Sequence, residues 1–365
     1  MSKKNLLGMT TEELKNFMQE LGEKPFRGKQ LFKWVNRGIT DFDEMTDFSK
    51  ALRAKLSAAA YVGSLQVMNV QKDAKDGTRK FLFGLEDGNA IESVFMQYKY
   101  GNSLCVSSQV GCKMGCKFCA TALDGFTRNL TAGEMLEQIY AAERETGKEI
   151  NHIVVMGMGE PFDNYENLSK FLRLLHDPEG KNMSYRNMTV STSGIIPVIE
   201  KFSEDFPQVN LAISLHRLTN EGRSAIMPVN DAYPVDDLLE AACKYTDKTG
   251  RRITFEYTLI KGENDSDKDV ELIKQKLSGM LCHVNLIPLN KVDETGFDGS
   301  TRRRAEEIAA QLERAGVAAT VRRELGSSID GACGQLRAKN KSRYYCYINI
   351  YACIFICFLL YYISA

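Results

Sequence analysis

Apolar residues recur at helical spacing through the first part of the chain: Leu14, Phe17 and Met18, then Leu31, Phe32, Trp34 and Val35, then Leu52 and Leu56. Residues three or four apart share one helix face, so this spacing predicts a small helical domain, punctuated by Pro25 and Gly38. The period then shortens. Lys80 to Glu86 and Ala90 to Tyr98 read as two strands joined by the turn Asp87, Gly88, Asn89. Further on, short apolar runs begin at Leu104, His152, Asn187, Asn210, Ile253 and His283. Between them lie helical patterns from Thr131 to Glu145, Asn164 to Leu175, Val235 to Thr246, Asp267 to Leu277 and Arg302 to Ala315. Strand and helix in alternation predict an α/β fold on a parallel sheet, either openly wound or a full or partial barrel. Such folds place their sites where strands end in polar or glycine-rich turns.

Length and composition add little to this picture. A chain of 365 residues suits one large catalytic domain with a smaller appendage. The apolar fraction of 44%, the charged fraction of 26% and a formal net charge of zero exclude a global pull toward polyanions. Any polyanion-binding surface must then be a local patch. Ten unevenly spaced cysteines do not form a disulfide framework, and the first residues lack the apolar core of a signal peptide, so a reducing cytoplasm is expected. One segment breaks the pattern. From Tyr344 to Ala365 the sequence is almost wholly apolar and uncharged, and it follows a basic stretch from Arg337 to Arg343. By length it reads as a membrane anchor, and by its monotony as an accidental extension of the reading frame.

The chemistry concentrates in the nine residues Gly111 to Cys119, where Cys112, Cys116 and Cys119 are spaced C-x3-C-x2-C after a predicted strand. Three thiolates from one loop can cap three irons of a four-iron, four-sulfur cluster and leave the fourth iron open to a ligand. Phe118 stands beside the last thiol and would shield such a cluster. Two other readings remain at this point: a zinc site completed by Cys105, or a redox pair at Cys116 and Cys119.

The spacing resembles the signature of the radical S-adenosylmethionine superfamily. Together the segments CVSSQVGCKMGCKFCAT, MGMGEP, VSTSG, SLH, NLIPLN and GACGQL resemble the RlmN/Cfr family of ribosomal RNA adenine methyltransferases, in family order from Glu92 to Leu336. The resemblance implies a partial (β/α) radical-S-adenosylmethionine barrel, with residues 1–75 as an RNA-recognition domain and 76–98 as a connecting hairpin. Residues 99–336 would form the catalytic domain and 337–365 an apolar tail of no known role. It further implies a reaction at adenine C2, an electron-poor carbon between two ring nitrogens that polar methyl transfer does not reach, so the cofactor carries the hard chemistry.

By that resemblance two molecules of S-adenosylmethionine serve each turnover. One methylates Cys333, and the other yields the radical that activates the methyl group for addition to C2. Glu92 is the base that removes the C2 proton. Cys105 is the resolving thiol, leaving a Cys105–Cys333 disulfide that a thiol reductant must open. Gly159, Glu160, Ser191, Ser214, His216 and Asn290 match cofactor contacts. The implied partners are 23S ribosomal RNA, transfer RNA and an electron donor such as flavodoxin, with the protein a monomer.

Taken alone, each residue has a blander reading. Cys105 suits a small core residue, Glu92 a solvent-facing carboxylate, and His216 a structural hydrogen-bonding group. Basic residues at Lys24, Arg27, Lys29, Lys33, Arg251, Arg252, Arg302 to Arg304, Arg322 and Arg323 form either a phosphate-facing rim or ordinary solvated faces. Two alternatives stay open: a relative that methylates C8 of the same base, and a non-catalytic metal-containing RNA-binding protein.

Overall fold

The computed structural model describes residues 3–63, 65–123, 125–290, 295–323, 325–326, 329 and 336. Helices α1 (Thr11–Glu20), α2 (Phe26–Val35) and α3 (Lys50–Ala59) form where the apolar spacing predicts them. They bury Leu14, Phe17 and Met18, then Leu31, Phe32 and Val35, then Leu52 and Leu56. Thr10 starts α1 with a reciprocal cap, its hydroxyl accepting from Glu13 N while its own N–H donates to the Glu13 carboxylate. Short strands β1 (Lys4–Asn5) and β2 (Ala60–Tyr61) pair in parallel and close the unit.

The main sheet has ten strands in the order β14-β13-β12-β11-β10-β9-β6-β5-β4-β3. An antiparallel edge comes first: β3 (Gln66–Lys72), β4 (Arg79–Gly84) and β5 (Ala90–Tyr98). Parallel neighbours follow: β6 (Gly101–Cys105), β9 (His152–Val155), β10 (Met188–Thr192), β11 (Asn210–Ser214), β12 (Ile253–Leu259), β13 (Cys282–Pro288) and β14 (Ala319–Val321). A separate ribbon pairs β7 (Gln109–Gly111) with β8 (Phe126–Asn129). The connections are α4 (Ala120–Leu123), α5 (Ala132–Thr146), α6 (Tyr165–His176), α7 (Ile196–Asp205), α8 (Asn220–Ile226), α9 (Val235–Thr249), α10 (Asp267–Leu277) and α11 (Arg302–Arg314). The sheet curls into a partial barrel. Its two edges come close enough that Gly326 N, beyond β14, donates to Asp76 Oδ2 in the β3–β4 loop at 2.9 Å.

Register divides this sheet into two chemically different faces, because residues directly opposite on neighbouring strands point to the same side. The pairs Val94↔Cys105, Cys105↔Val154, Val154↔Thr189, Ser191↔Ala212, Ser214↔Glu256 and Glu256↔Asn285 put Glu92, Cys105, Met156, Ser191, Ser214 and Glu256 on one face. The other face carries Phe81, Phe83, Phe95, Leu104, Ile153, Val190, Ile213, Phe255 and Leu286, all buried in the apolar core with the helices. The inner face is therefore the polar one, and the site must lie there.

The helical unit docks on α5 at very short range. A Cβ built on Gly8, whose φ is +85°, would lie 2.4 Å from Gly133 N, so glycine at both positions lets the backbones touch. Tyr140 Oη donates to Asn36 O at 3.0 Å across the same contact. The run from Leu104 to Val110, expected as one strand, is two: Val106 N still donates to Val154 O on β9, and Ser107 and Ser108 leave the ladder before β7 begins. Among the described residues no helix is long and apolar enough to cross a membrane, and the tail 344–365 lies outside them.

Candidate active site

The three thiols sit on the loop between β7 and α4, which is pinned by backbone hydrogen bonds and by Lys113, whose Nζ lies 2.6 Å from Asp163 Oδ1. Cys112 N donates to Gly125 O at 2.9 Å, Lys117 N to Ile226 O at 3.0 Å and Cys119 N to Cys116 O at 3.1 Å. Gly111 makes the turn into it with φ +78°, and a Cβ there would lie 1.8 Å from Gly125 O. Gly111→Ala is therefore expected to displace the loop, lowering iron retained after reconstitution by at least about tenfold on top of the cost of a left-handed alanine. Iron content near that of the parent would show that the loop tolerates the shift.

All three cysteines line one cleft of about 210 Å3 with Gly157, Gly159, Glu160, Ser191, Ser214, His216, Glu256 and Arg322. Burial pushes the Cys112 thiol up to about 12 and raises Cys116 as well, and the neighbouring sulfurs add to both shifts. Three thiolates in such a place need positive charge from what they bind. Iron supplies that, so the donor set fits a cluster. Phe118 stands edge-on to His216 with ring centroids 4.9 Å apart, on the cleft wall rather than at an open rim.

The cofactor-binding candidates come from strand ends held by a hydrogen-bonded frame. Glu160 is buried, and its carboxylate accepts from Phe162 N (3.0 Å), Thr192 Oγ1 (2.8 Å) and Ser193 N (2.7 Å), tying the glycine-rich turn after β9 to the end of β10. Burial raises its proton affinity, and these donors oppose that. Gln109 braces the turn from the other side, accepting from Glu160 N and donating to Asn129 and Asp163. His216 has φ +55°, and its Nδ1 accepts from Thr258 N at 3.0 Å, which leaves the proton on Nε2. Burial, with Arg223 nearby, lowers it to about 3, so it is neutral at physiological pH. Asn290 is exposed and does not line the cleft.

Glu92 is not solvent-facing. Its carboxylate lies 3.0 Å from Lys80 Nζ, and both side chains are almost fully buried, 3% and 0% exposed. Cys105 is buried at the end of β6 on the same face. Cys333 falls outside the described residues.

Three residues escaped the sequence reading. Lys80 carried no motif, although a hairpin register counted from the turn at 87–89 places it diagonal to Glu92. Glu256 looked like one polar residue in an apolar strand, yet it lines the cleft, accepts from Asn285 at 2.9 Å and is raised by burial. Arg223 is fully buried and binds Leu215 O, Ser193 O, Ser214 O and Asn230 Oδ1, with no local signal at all.

Several basic groups of the expected RNA rim are engaged elsewhere. Lys29 and Lys33 both pair with Glu179, and Arg304 pairs with Asp267. Exposed Lys24 and Phe26, with Arg27 stacked 5.5 Å from the Phe26 ring, leave a smaller cationic and aromatic patch on the helical unit.

Comparison with known proteins falls on both parts of this architecture. Residues 4–62 match the ribosomal RNA large subunit methyltransferase N-terminal domain, and residues 106–273 match the radical SAM superfamily. A Clostridium perfringens (strain 13 / Type A) protein named "Probable dual-specificity RNA methyltransferase RlmN" is 50% identical over 335 residues, covering 92% of this chain and 96% of its own. A protein of the same name from Alkaliphilus oremlandii is 48% identical over 340 residues, covering 93% of this chain and 99% of its own. The crystal structure of a radical SAM methyltransferase from Sphaerobacter thermophilus superposes with a TM-score of 0.86 at 44% identity, over 91% of this chain and 98% of that one.

Proposed function

This chain belongs to the RlmN family of radical S-adenosylmethionine RNA methyltransferases, and on that premise we propose that it methylates C2 of an adenine in 23S ribosomal RNA and in transfer RNA. One observation carries the reading: the register that brings Glu92 and Cys105 onto the polar inner face is the same register that brings Ser191 and Ser214 to the thiol-lined cleft. A base, a nucleophilic thiol and a cofactor pocket then share one interior.

Cys112, Cys116 and Cys119 would hold a four-iron, four-sulfur cluster, and Gly159, Glu160, Ser191, Ser214 and His216 would surround S-adenosylmethionine beside it. When bound, these groups supply a methyl group by displacement and a hydrogen-abstracting radical, with two molecules of S-adenosylmethionine used per turnover and one electron from a donor such as flavodoxin. The chain's own residues do the rest. Cys333 carries the methyl group as a thioether and becomes joined to adenine C2. Glu92 takes the C2 proton, and the adduct, formed as a radical, gives one electron to a one-electron acceptor, for which an oxidised iron–sulfur cluster would serve, so that a closed-shell thioether remains. The Cys105 thiolate then attacks the Cys333 sulfur: the disulfide forms, the electron pair of the broken sulfur–carbon bond stays with the methyl-derived carbon, and that carbon takes up a proton to become the C2 methyl group. A thiol reductant restores both cysteines. The neutral His216 donates from Nε2 and adds no charge beside a cationic sulfonium. The exposed patch at Lys24, Phe26 and Arg27 would meet RNA backbone and an unstacked base, the protein working in the cytoplasm as a monomer.

Cys105→Ala tests this reading. Anaerobically reconstituted protein, given S-adenosylmethionine, reductant and unmodified 23S ribosomal RNA, should form deoxyadenosine yet accumulate a covalent protein–RNA adduct visible on a denaturing gel. Multiple turnover should fall by at least about a hundredfold. Free turnover by this variant removes the resolving role, and a product methylated at C8 by the parent enzyme moves the reaction to the other ring carbon.

A further inference from the structure

Glu92 and Lys80 form an ion pair with essentially no exposure to water, at 3.0 Å, inside the polar face of the barrel. Stability does not explain such a pair, because desolvating two charges costs as much as their attraction returns, and well-packed apolar residues of the same volume serve a core equally well or better. The apolar alternative is visible one position away on the same hairpin, where Phe81 and Phe83 face the core. On this hairpin the buried charges Lys80 and Glu92 both lie on the inner face.

Position ties the pair to the cleft. Lys80 lies opposite Val94, and Val94 lies opposite Cys105, so the ammonium and the thiol flank one strand, with Glu92 two residues along it. At Glu92 the main chain is also fixed: Ser107 Oγ donates to Glu92 O at 2.6 Å and accepts from Met158 N at 2.9 Å. One hydroxyl thus connects the backbone of Glu92 to the glycine-rich turn of the cofactor pocket. The charged and titratable groups facing Glu92 from the surrounding strands are Lys80 and buried Asp73 at the β3–β4 edge, Tyr98 further along β5 and Cys105 on β6, with Glu256 and Arg322 across the cleft.

We propose that Lys80 is a positioning residue for the reaction, aiming the Glu92 carboxylate so that it can take the proton from adenine C2. The inference rests on the proposed role of Glu92 and deepens it. A general base must be aimed at the proton it takes, and a carboxylate without a fixed partner can turn about its broad terminal torsion. An ammonium at hydrogen-bond distance fixes the orientation of the carboxylate. In the step itself the C2–H bond breaks, its electron pair remains with the purine ring, and the proton passes to a Glu92 carboxylate oxygen. Lys80 touches neither substrate nor cofactor.

The experiment uses the full chain, anaerobically reconstituted, with S-adenosylmethionine, reductant and unmodified 23S ribosomal RNA carrying either hydrogen or deuterium at adenine C2. Lys80→Gln should form deoxyadenosine within about threefold of the parent but lose about tenfold to a hundredfold in turnover, with adduct accumulating. Release of that adduct should acquire a C2-deuterium isotope effect that the parent lacks, and Lys80→Arg should restore most of the rate. Deoxyadenosine formation and turnover falling together, with no adduct and no isotope effect, would overturn the assignment and leave Lys80 a structural residue. Should Lys80→Gln fail to fold, the charge-neutral double variant Lys80→Met, Glu92→Gln takes its place. Turnover within about twofold of Glu92→Gln alone supports a role exerted through Glu92, and a further tenfold loss refutes it. A parent enzyme that forms deoxyadenosine but no C2-methylated adenosine sinks the underlying reading of Glu92 instead.

Discussion

Cys116→Ala is expected to leave a folded protein that holds no four-iron cluster and forms deoxyadenosine at least about a thousandfold more slowly than the parent. The loop survives because its anchors are backbone groups and the Lys113 side chain. Cys112 N, Lys117 N and Cys119 N bond to Gly125 O, Ile226 O and Cys116 O, and an alanine keeps all three bonds. The cluster does not survive, because one of its three irons with protein ligands loses its thiolate. Cys116 is also where the protein supplies compensating charge, since Arg223 works against the burial that raises this thiol. The check is iron per chain and visible absorbance after anaerobic reconstitution, then deoxyadenosine by chromatography, with the melting temperature as a control. Iron content and deoxyadenosine formation equal to the parent's would remove the cluster from this loop.

The elements that depend on local pattern were readable in the sequence. Helix α10 starts and ends at the residues its spacing predicts, Asp267 and Leu277, because a serine cap and an apolar stripe both lie within one short window. Strand β3 went unread, since an edge strand with one polar face presents Gln66, Asn69 and Gln71 to less demanding surroundings and shows no clean apolar run. The split between β6 and β7 was also hidden. Ser107 N leaves the ladder for the side chain of Gln138, and Ser108 N for Met158 O, partners 31 and 50 residues away. For the site the division is the same. The cysteine triad and the glycine-rich turn are contiguous in sequence and were found at once. Glu92 was found through its motif, but its burial was not, because burial depends on a lysine across a hairpin and on the curl of a ten-stranded sheet. Arg223 belongs to no motif and becomes visible only when four carbonyl and amide oxygens from separate segments converge on it.

That convergence makes Arg223→Met the substitution expected to cost most in stability. Methionine matches much of the volume of the stem but supplies none of the donors. Leu215 O, Ser193 O and Ser214 O would each lose a charged donor in a region without exposure, and Asn230 Oδ1 a fourth. Burial lowers Arg223 only to about 10, so at neutral pH the lost donors are those of a cation. A buried acceptor left without its partner costs about 1–3 kcal/mol, and breaking a buried charged network about 3–5 kcal/mol in sum, so the denaturant midpoint should fall with the slope unchanged. The damage also has a direction. Ser193 and Ser214 follow or end β10 and β11 on the cleft wall, so loosening them should weaken S-adenosylmethionine binding, measured by titration calorimetry on the reconstituted protein, by about tenfold or more. A variant within about 1 kcal/mol of the parent, with unchanged affinity, would mean that neighbouring donors or water can replace the guanidinium and that the two strand ends do not depend on it.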